Sequence, residues 1–141
     1  MLAPKPDLRP SGIGIDCVDL TRARRFLKDH PKSFARLLSP LEKKRWKSKS
    51  PSALSFAKLF AAKEAFFKAL DGVWMGLEGF ARLEVSCFPK GRFKVQSLPS
   101  VSNNPGGFPA GKWGKGRFFK VPGGMAAEVI CWKNSDALAS S

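Results

Sequence analysis

Two carboxylates in this chain of 141 residues stand where their neighbours are apolar. Asp16 ends the run Gly12-Ile13-Gly14-Ile15-Asp16, a segment with the composition of a buried strand. Glu64 lies in Phe60-Ala61-Ala62-Lys63-Glu64-Ala65-Phe66. That stretch belongs to residues 52 to 70, which lack Gly and Pro, are rich in Ala, Leu, Phe and Lys, and predict a helix. On a wheel of about 100° per residue, Phe56, Leu59, Phe60, Phe66, Phe67 and Leu70 share an arc about 120° wide. Lys63 falls near the middle of that arc and Glu64 on its edge. A lysine there is unfavourable unless its charge is paired or its stem carries the ammonium past its neighbours to water. Pairing calls for a polar pocket that holds Lys63, Glu64 and something anionic or metallic. Asp16 is either a strand-end cap for the next helix, a role Asp19 fills better, or a second carboxylate of the pocket. Two facing carboxylates repel and need a cation. With open coordination positions and polyphosphate oxygens, they form the usual setting of Mg²⁺.

The elements that must position these groups follow from pattern and punctuation. Ile13 to Val18 reads as a strand, and Asp19 sits at the N-cap of a short basic helix over Thr21 to Leu27. Pro31 stops that helix. Ser39-Pro40-Leu41-Glu42 is a capping box with Pro at the first helical position, opening a helix to about Lys47. Lys47 to Pro51 is loop, and the long helix follows. Phe80 to Phe88 and Arg92 to Val95 predict two strands joined by a turn at Pro89-Lys90-Gly91. Ser97 to Gly116 has no apolar period and reads as loop; Phe118 to Val121 and Met125 to Trp132 read as strands. The order predicts an α+β domain, a small antiparallel sheet packed on one long central helix. Its expected span is 12–133, between a flexible, proline-bearing arm (1–11) and a frayed tail (134–141).

Composition bounds the partners. Apolar residues make up 43%, enough for a core. No apolar run approaches the ~20 residues of a membrane span. The N-terminus is too short and proline-rich for a signal peptide, so a cytoplasmic protein is expected. Cys17, Cys87 and Cys131 fit no zinc spacing and read as reduced thiols packed in strands. The charge is 25 Lys plus Arg against 11 Asp plus Glu, net +14. Such a surface attracts nucleic acid, anionic lipid, a phosphorylated cofactor or an acidic protein. A basic nucleic-acid-binding module without catalytic activity is the main alternative to an enzyme. It accounts for Trp113 among Lys112, Lys115 and Arg117. It does not account for Asp16 or for a Lys-Glu pair in an apolar helix.

Gly12-Ile13-Gly14-Ile15-Asp16-Cys17-Val18-Asp19-Leu20-Thr21-Arg22 resembles the N-terminal signature of the holo-acyl-carrier-protein synthases. Phe56 to Leu70 resembles their central helix, Leu38 to Trp46 the segment between, and Phe80 to Val95 their strand, Gly-turn, strand unit. The resemblance spans roughly residues 12 to 95, in order and spacing. It implies Mg²⁺-dependent transfer of the 4′-phosphopantetheine arm of coenzyme A to a serine of an apo-acyl carrier protein, releasing 3′,5′-ADP. It ties the chain to lipid metabolism and fatty acid biosynthesis, although these residues do not say which carrier is served. It implies that Asp16 and Glu64 bind the metal and that Glu64, directly or through water, takes the serine proton. It implies that Lys63, Lys68 and Gly72 contact coenzyme A, with Lys68 also serving catalysis. An ordinary surface ion pair with Glu64 is the other account of Lys68. Arg22, then Arg25, are expected against the acidic carrier, and the cluster from Lys43 to Lys49 near the nucleotide.

The likeness is incomplete. Leu59 stands where many members carry an arginine, with Lys58 adjacent but aimed elsewhere on the wheel. The only histidine is His30, and Lys120 falls near the place of the family's histidine, where it would serve as a phosphate contact. Short synthases of this kind are homotrimers with sites at subunit boundaries, which is the expected assembly here. Val73, Trp74 and Met75 are interface candidates.

Overall fold

The computed structural model describes residues 8–46, 52–70, 76–99 and 111–134. Strand β1 is Leu8–Asp19, followed by helices α1 (Leu20–Asp29), α2 (Pro31–Ala35), α3 (Pro40–Trp46), α4 (Ala53–Ala69) and α5 (Gly76–Ala81). Strands β2 (Leu83–Phe88), β3 (Arg92–Ser97), β4 (Trp113–Val121) and β5 (Gly124–Asn134) follow among the described residues, with Pro89–Gly91 forming the turn between β2 and β3. All pairings in the five-stranded sheet are antiparallel, in the order β1-β5-β4-β3-β2. The expected α+β architecture is what forms, with α4 lying across β1 and β5 on one face of the sheet. No described helix is long and apolar enough to cross a membrane.

The local signals act as the chemistry requires. Asp19 caps α1, its Oδ1 accepting the amide of Arg22 at 3.0 Å. At α3 the capping box closes in both directions: Glu42 Oε1 accepts from Ser39 N at 2.9 Å, and Ser39 Oγ from Glu42 N at 3.2 Å. α3 then protects the open edge of β2. Glu42 Oε2 accepts the Val85 amide at 2.8 Å, and Arg45 donates to the Val85 carbonyl at 3.0 Å. The three cysteines lie in strands as free thiols, Cys17 and Cys87 exposed and Cys131 buried.

Several boundaries move. Residues 8–11, expected in the arm, belong to β1 and extend its pairing with β5 up to Asn134. Residues 80–81 end a helix instead of starting a strand. β4 begins at Trp113, inside the stretch expected to be loop, because its glycines serve packing: a Cβ on Gly116 would sit 2.4 Å from the Phe93 ring. Val73, Trp74 and Met75 lie outside the described residues.

The largest correction concerns which faces are buried. Ile13 and Ile15 are 61% and 52% exposed, and the positions turned toward α4 are Gly12, Gly14 and Asp16. α4 is buried nearly all round: the phenylalanine arc packs into the core, and Ala57, Ala61, Ala62, Ala65 and Ala69 are buried as well. Alanine against glycine lets helix and strand backbones approach closely. A Cβ on Gly14 would lie 1.9 Å from the Ala65 carbonyl oxygen, and one on Gly12 2.0 Å from that of Ala69. The Gly-x-Gly of β1 is therefore a seat for α4.

Candidate functional site

That close crossing delivers the polar groups. Asp16 follows Gly14 on the same face of β1, and Glu64 and Lys68 project from α4 beside Ala65. Lys68 Nζ lies 2.8 Å from Asp16 Oδ1 and donates to the Ile15 carbonyl at 3.3 Å. Lys68 is about half exposed, so solvent reaches the cluster, while Asp16 is only 16% exposed. The sequence alternative in which Lys68 pairs simply with Glu64 gives way to a cross-element pair with Asp16. Glu64 is half-buried and makes no hydrogen bond or ion pair among the described residues. Its pKa is raised, first by burial and then by the like charge of Asp16, with Lys68 opposing. The Lys68 ammonium is held above its ordinary value chiefly by its hydrogen bond to Asp16.

These groups suit a divalent cation. Asp16 and Glu64 carry hard carboxylate oxygens that could face a cation, and Glu64 has no ion pair of its own among the described residues. Among the described residues no group of three or more His, Cys, Asp or Glu side chains forms that could hold a metal. Two protein carboxylates, with the remaining positions open to water and phosphate, is how Mg²⁺ is commonly held.

Lys63 does not join them. It points away from β1, is 1% exposed, and donates to Glu42 Oε1 (2.7 Å), the Leu37 carbonyl (2.7 Å) and the Phe80 carbonyl (2.8 Å). The anion that sequence reasoning required for Lys63 is thus Glu42, and every ammonium proton is used. The expected contact of Lys63 with coenzyme A is corrected: one helix residue apart, Lys63 and Glu64 diverge by about 100° into separate pockets. Burial draws the Lys63 pKa down, and Glu42 opposes it.

The other expected residues distribute around the cluster. Arg22 and Arg25 are exposed on α1. Arg22 lines a groove of about 280 Å³ with Cys17, Val18, Phe26, Phe56 and Phe60, so an apolar trough runs beside Asp16. Lys120 is exposed on β4, on the face of the sheet that carries Asp16; its row across the strands is Lys120, Met125, Val18, next to the row Phe118, Ala127, Asp16. Gly72 lies outside the described residues. A second cavity, about 560 Å³, is lined by Arg45, Trp46, Lys58, Leu59, Cys87 and Phe118. Lys58, expected to point elsewhere than Leu59, shares this cavity with it, its ammonium 5.7 Å from the centre of the Phe118 ring. Sequence reasoning missed this cavity because it exists only where α3, α4, β2 and β4 meet, which spacing along the chain does not record. Gly14 was missed as a site residue because a glycine in a strand signals close approach only once the approaching element is known.

Comparison with known proteins fits this geometry. The chain belongs to the 4′-phosphopantetheinyl transferase superfamily, whose family model matches residues 12–110. A holo-[acyl-carrier-protein] synthase from an Azoarcus species is 47% identical over 60 residues, 42% of this chain; the match spans about half (48%) of that relative's length. The crystal structure of the Neisseria meningitidis holo-[acyl-carrier-protein] synthase superimposes with a TM-score of 0.68 at 27% identity, covering 89% of this chain and all of that one. The Helicobacter pylori synthase in complex with coenzyme A gives 0.59 at 28% identity, covering 84% of this chain and 98% of that one.

Proposed function

We propose that this chain transfers the 4′-phosphopantetheine arm of coenzyme A to a serine of an acidic apo-acyl carrier protein and releases 3′,5′-ADP, as the resembling synthases do. The observation that carries this reading is the convergence of Asp16, Glu64 and Lys68 at one solvent-accessible crossing of β1 and α4. Asp16 and Glu64 would hold Mg²⁺, which supplies charge neutralisation and alignment to a pyrophosphate. Glu64, half-buried beside Asp16, would take the serine proton, directly or through a bound water, as the serine oxygen bonds to phosphorus and the bond to the departing 3′,5′-ADP breaks. Lys68 sits where an ammonium meets phosphate oxygens, and it exchanges Asp16 for them when substrate arrives. Arg22 and Arg25 offer positive charge to the carrier, and the trough beside Arg22 takes one of its apolar side chains.

The nucleotide end of coenzyme A suits the 560 Å³ cavity, where Lys58 and Arg45 supply cations and Trp46 and Phe118 supply ring faces. The coenzyme A bound to the Helicobacter pylori relative supports a site of this kind. In this reading the cation absent at Leu59 is furnished by Lys58 from the same cavity, and Lys120 adds a phosphate contact. Assembly as a homotrimer completes the site from a neighbouring subunit. Exposed Ile13, Ile15 and Phe119 on the sheet face opposite α4 give such an interface apolar area.

The test is direct. Purified protein, Mg²⁺, coenzyme A and apo-carrier are mixed, and the carrier is weighed by mass spectrometry. The expected result is a gain of the phosphopantetheine mass that needs the metal and disappears in Asp16→Ala and Glu64→Ala with their melting transitions retained. No gain with any carrier that a control synthase modifies would overturn the reading.

A further inference from the structure

The buried pair of Glu42 and Lys63 is not part of the reacting cluster, yet five segments of the chain meet on it. Lys63 of α4 donates to Glu42 of α3, to the Leu37 carbonyl ahead of α3 and to the Phe80 carbonyl of α5. Glu42 also accepts from the amides of Ser39 and of Val85 in β2. Ser39 Oγ in turn donates to Glu84 at 3.2 Å. The two side chains are 1% and 2% exposed, and all their strong donors and acceptors are used.

Such a pair is a poor stability device. Removing two charges from water costs several kcal/mol per ion, and well-packed apolar residues of equal volume often do as well or better. What charge adds is direction. The other buried side chains of α4 are phenylalanine, leucine and alanine, whose packing tolerates small rotations, whereas three short hydrogen bonds to one ammonium do not. Lys63 immediately precedes Glu64, so fixing the azimuth of one fixes the azimuth of the other. We propose that the Glu42–Lys63 pair is a positioning device: it sets the rotation of α4 over β1 and thereby aims Glu64 at Asp16. The catalytic consequence rests on the function proposed above; the orientation of α4 does not.

The magnitude follows from helix geometry. A side-chain terminus lies about 5–6 Å from the helix axis, so a rotation of about 10° carries the Glu64 carboxylate about 1 Å. Misplacement of that size costs about 10²-fold in rate. Lys63 and Glu42 are positioning residues, and neither touches the substrate.

The test replaces the pair as a unit, Glu42→Gln with Lys63→Met, so that no charge is left buried alone. Two quantities are read: kcat for carrier modification, and nuclear Overhauser contacts between the Gly14 α-protons and the Ala65 and Ala69 methyl groups. The expected double variant melts cooperatively, loses about 10²-fold in kcat with the KM for coenzyme A changed less than threefold, and shows an altered Gly14–Ala65 contact pattern. A folded variant with kcat and contacts both unchanged overturns the proposal. Should the double variant not fold, Glu42→Asp is read in its place. It keeps the charge but shortens the arm by one methylene; an at least tenfold loss of kcat in a folded protein is expected, and wild-type kcat and contacts overturn the proposal. If the wild type modifies no carrier, the function falls by itself, and the contact pattern still decides whether the pair orients α4.

Discussion

Substituting Gly14 by alanine tests the claim that one methyl-sized space builds the site. The added Cβ would lie 1.9 Å from the Ala65 carbonyl oxygen, 2.8 Å from the Ala69 nitrogen and 2.9 Å from the Ala65 carbonyl carbon. All three are backbone atoms of a helix, so no side chain can swing aside. Relaxation to an ordinary contact of roughly 3.5 Å needs about 1.5 Å of separation between α4 and β1 at this point. Asp16 is two residues along the same face of β1, so the separation is passed to its contact with Lys68, now 2.8 Å, and to its approach to Glu64. Overpacking of this kind costs about 1–3 kcal/mol of stability, and a displacement above 1 Å in the reacting cluster costs at least about 10²-fold in kcat. The assay pairs a thermal melt with the carrier mass measurement. Gly123→Ala is the control: Gly123 has a φ of 72° and nothing within 4 Å of an added Cβ. That variant carries backbone strain of about 1 kcal/mol without touching the crossing, and its kcat is expected to stay near wild type. A Gly14→Ala protein that folds and keeps kcat within threefold of wild type would refute the proposed role of the glycine seat.

Three further outcomes are expected. Metal uptake by the metal-free protein should weaken on acidification at a pH above the ordinary carboxylate range, because burial and Asp16 raise the pKa of Glu64 there and a ligand carboxylate must be ionised; Mg²⁺ titrations across that range read it. The sign for stability is the opposite. A carboxyl whose folded pKa is raised takes up protons more readily when folded, so its contribution declines as pH rises between the unfolded and folded pKa values; melts across that window in metal-free buffer read it. Lys58→Ala should raise the KM for coenzyme A by about tenfold with kcat little changed, the pattern for a group that binds ground and transition states alike, and Lys120→Ala should do so more weakly; an unchanged KM removes either residue from the nucleotide site. Arg22→Glu should raise the KM for the carrier and lessen the salt dependence of the reaction, leaving the KM for coenzyme A alone; equal effects on both would argue against a carrier-facing role.

Much was legible before any coordinates, and the reasons are local. Asp19 before α1 and the Ser39–Glu42 box before α3 are signals whose donors and acceptors lie within four residues, so their geometry is nearly independent of the rest of the chain. The length and purity of residues 52 to 70 announce α4 in the same way. Asp16 and Glu64 stood out because charge in apolar runs is costly wherever the runs pack.

Tertiary structure decided what each anomaly was for. The wheel placed Lys63 and Glu64 in one polar pocket. Their side chains leave the helix in different directions and meet different elements, Glu42 in one case and Asp16 in the other, and neither partner can be read from spacing. The same holds for the isoleucines of β1, whose apolarity suggested burial, while the glycines between them took the helix. A sequence records the chemistry of a residue and its nearest neighbours. It does not record which backbone will come within contact distance, and here that approach turned two separate carboxylates into one site.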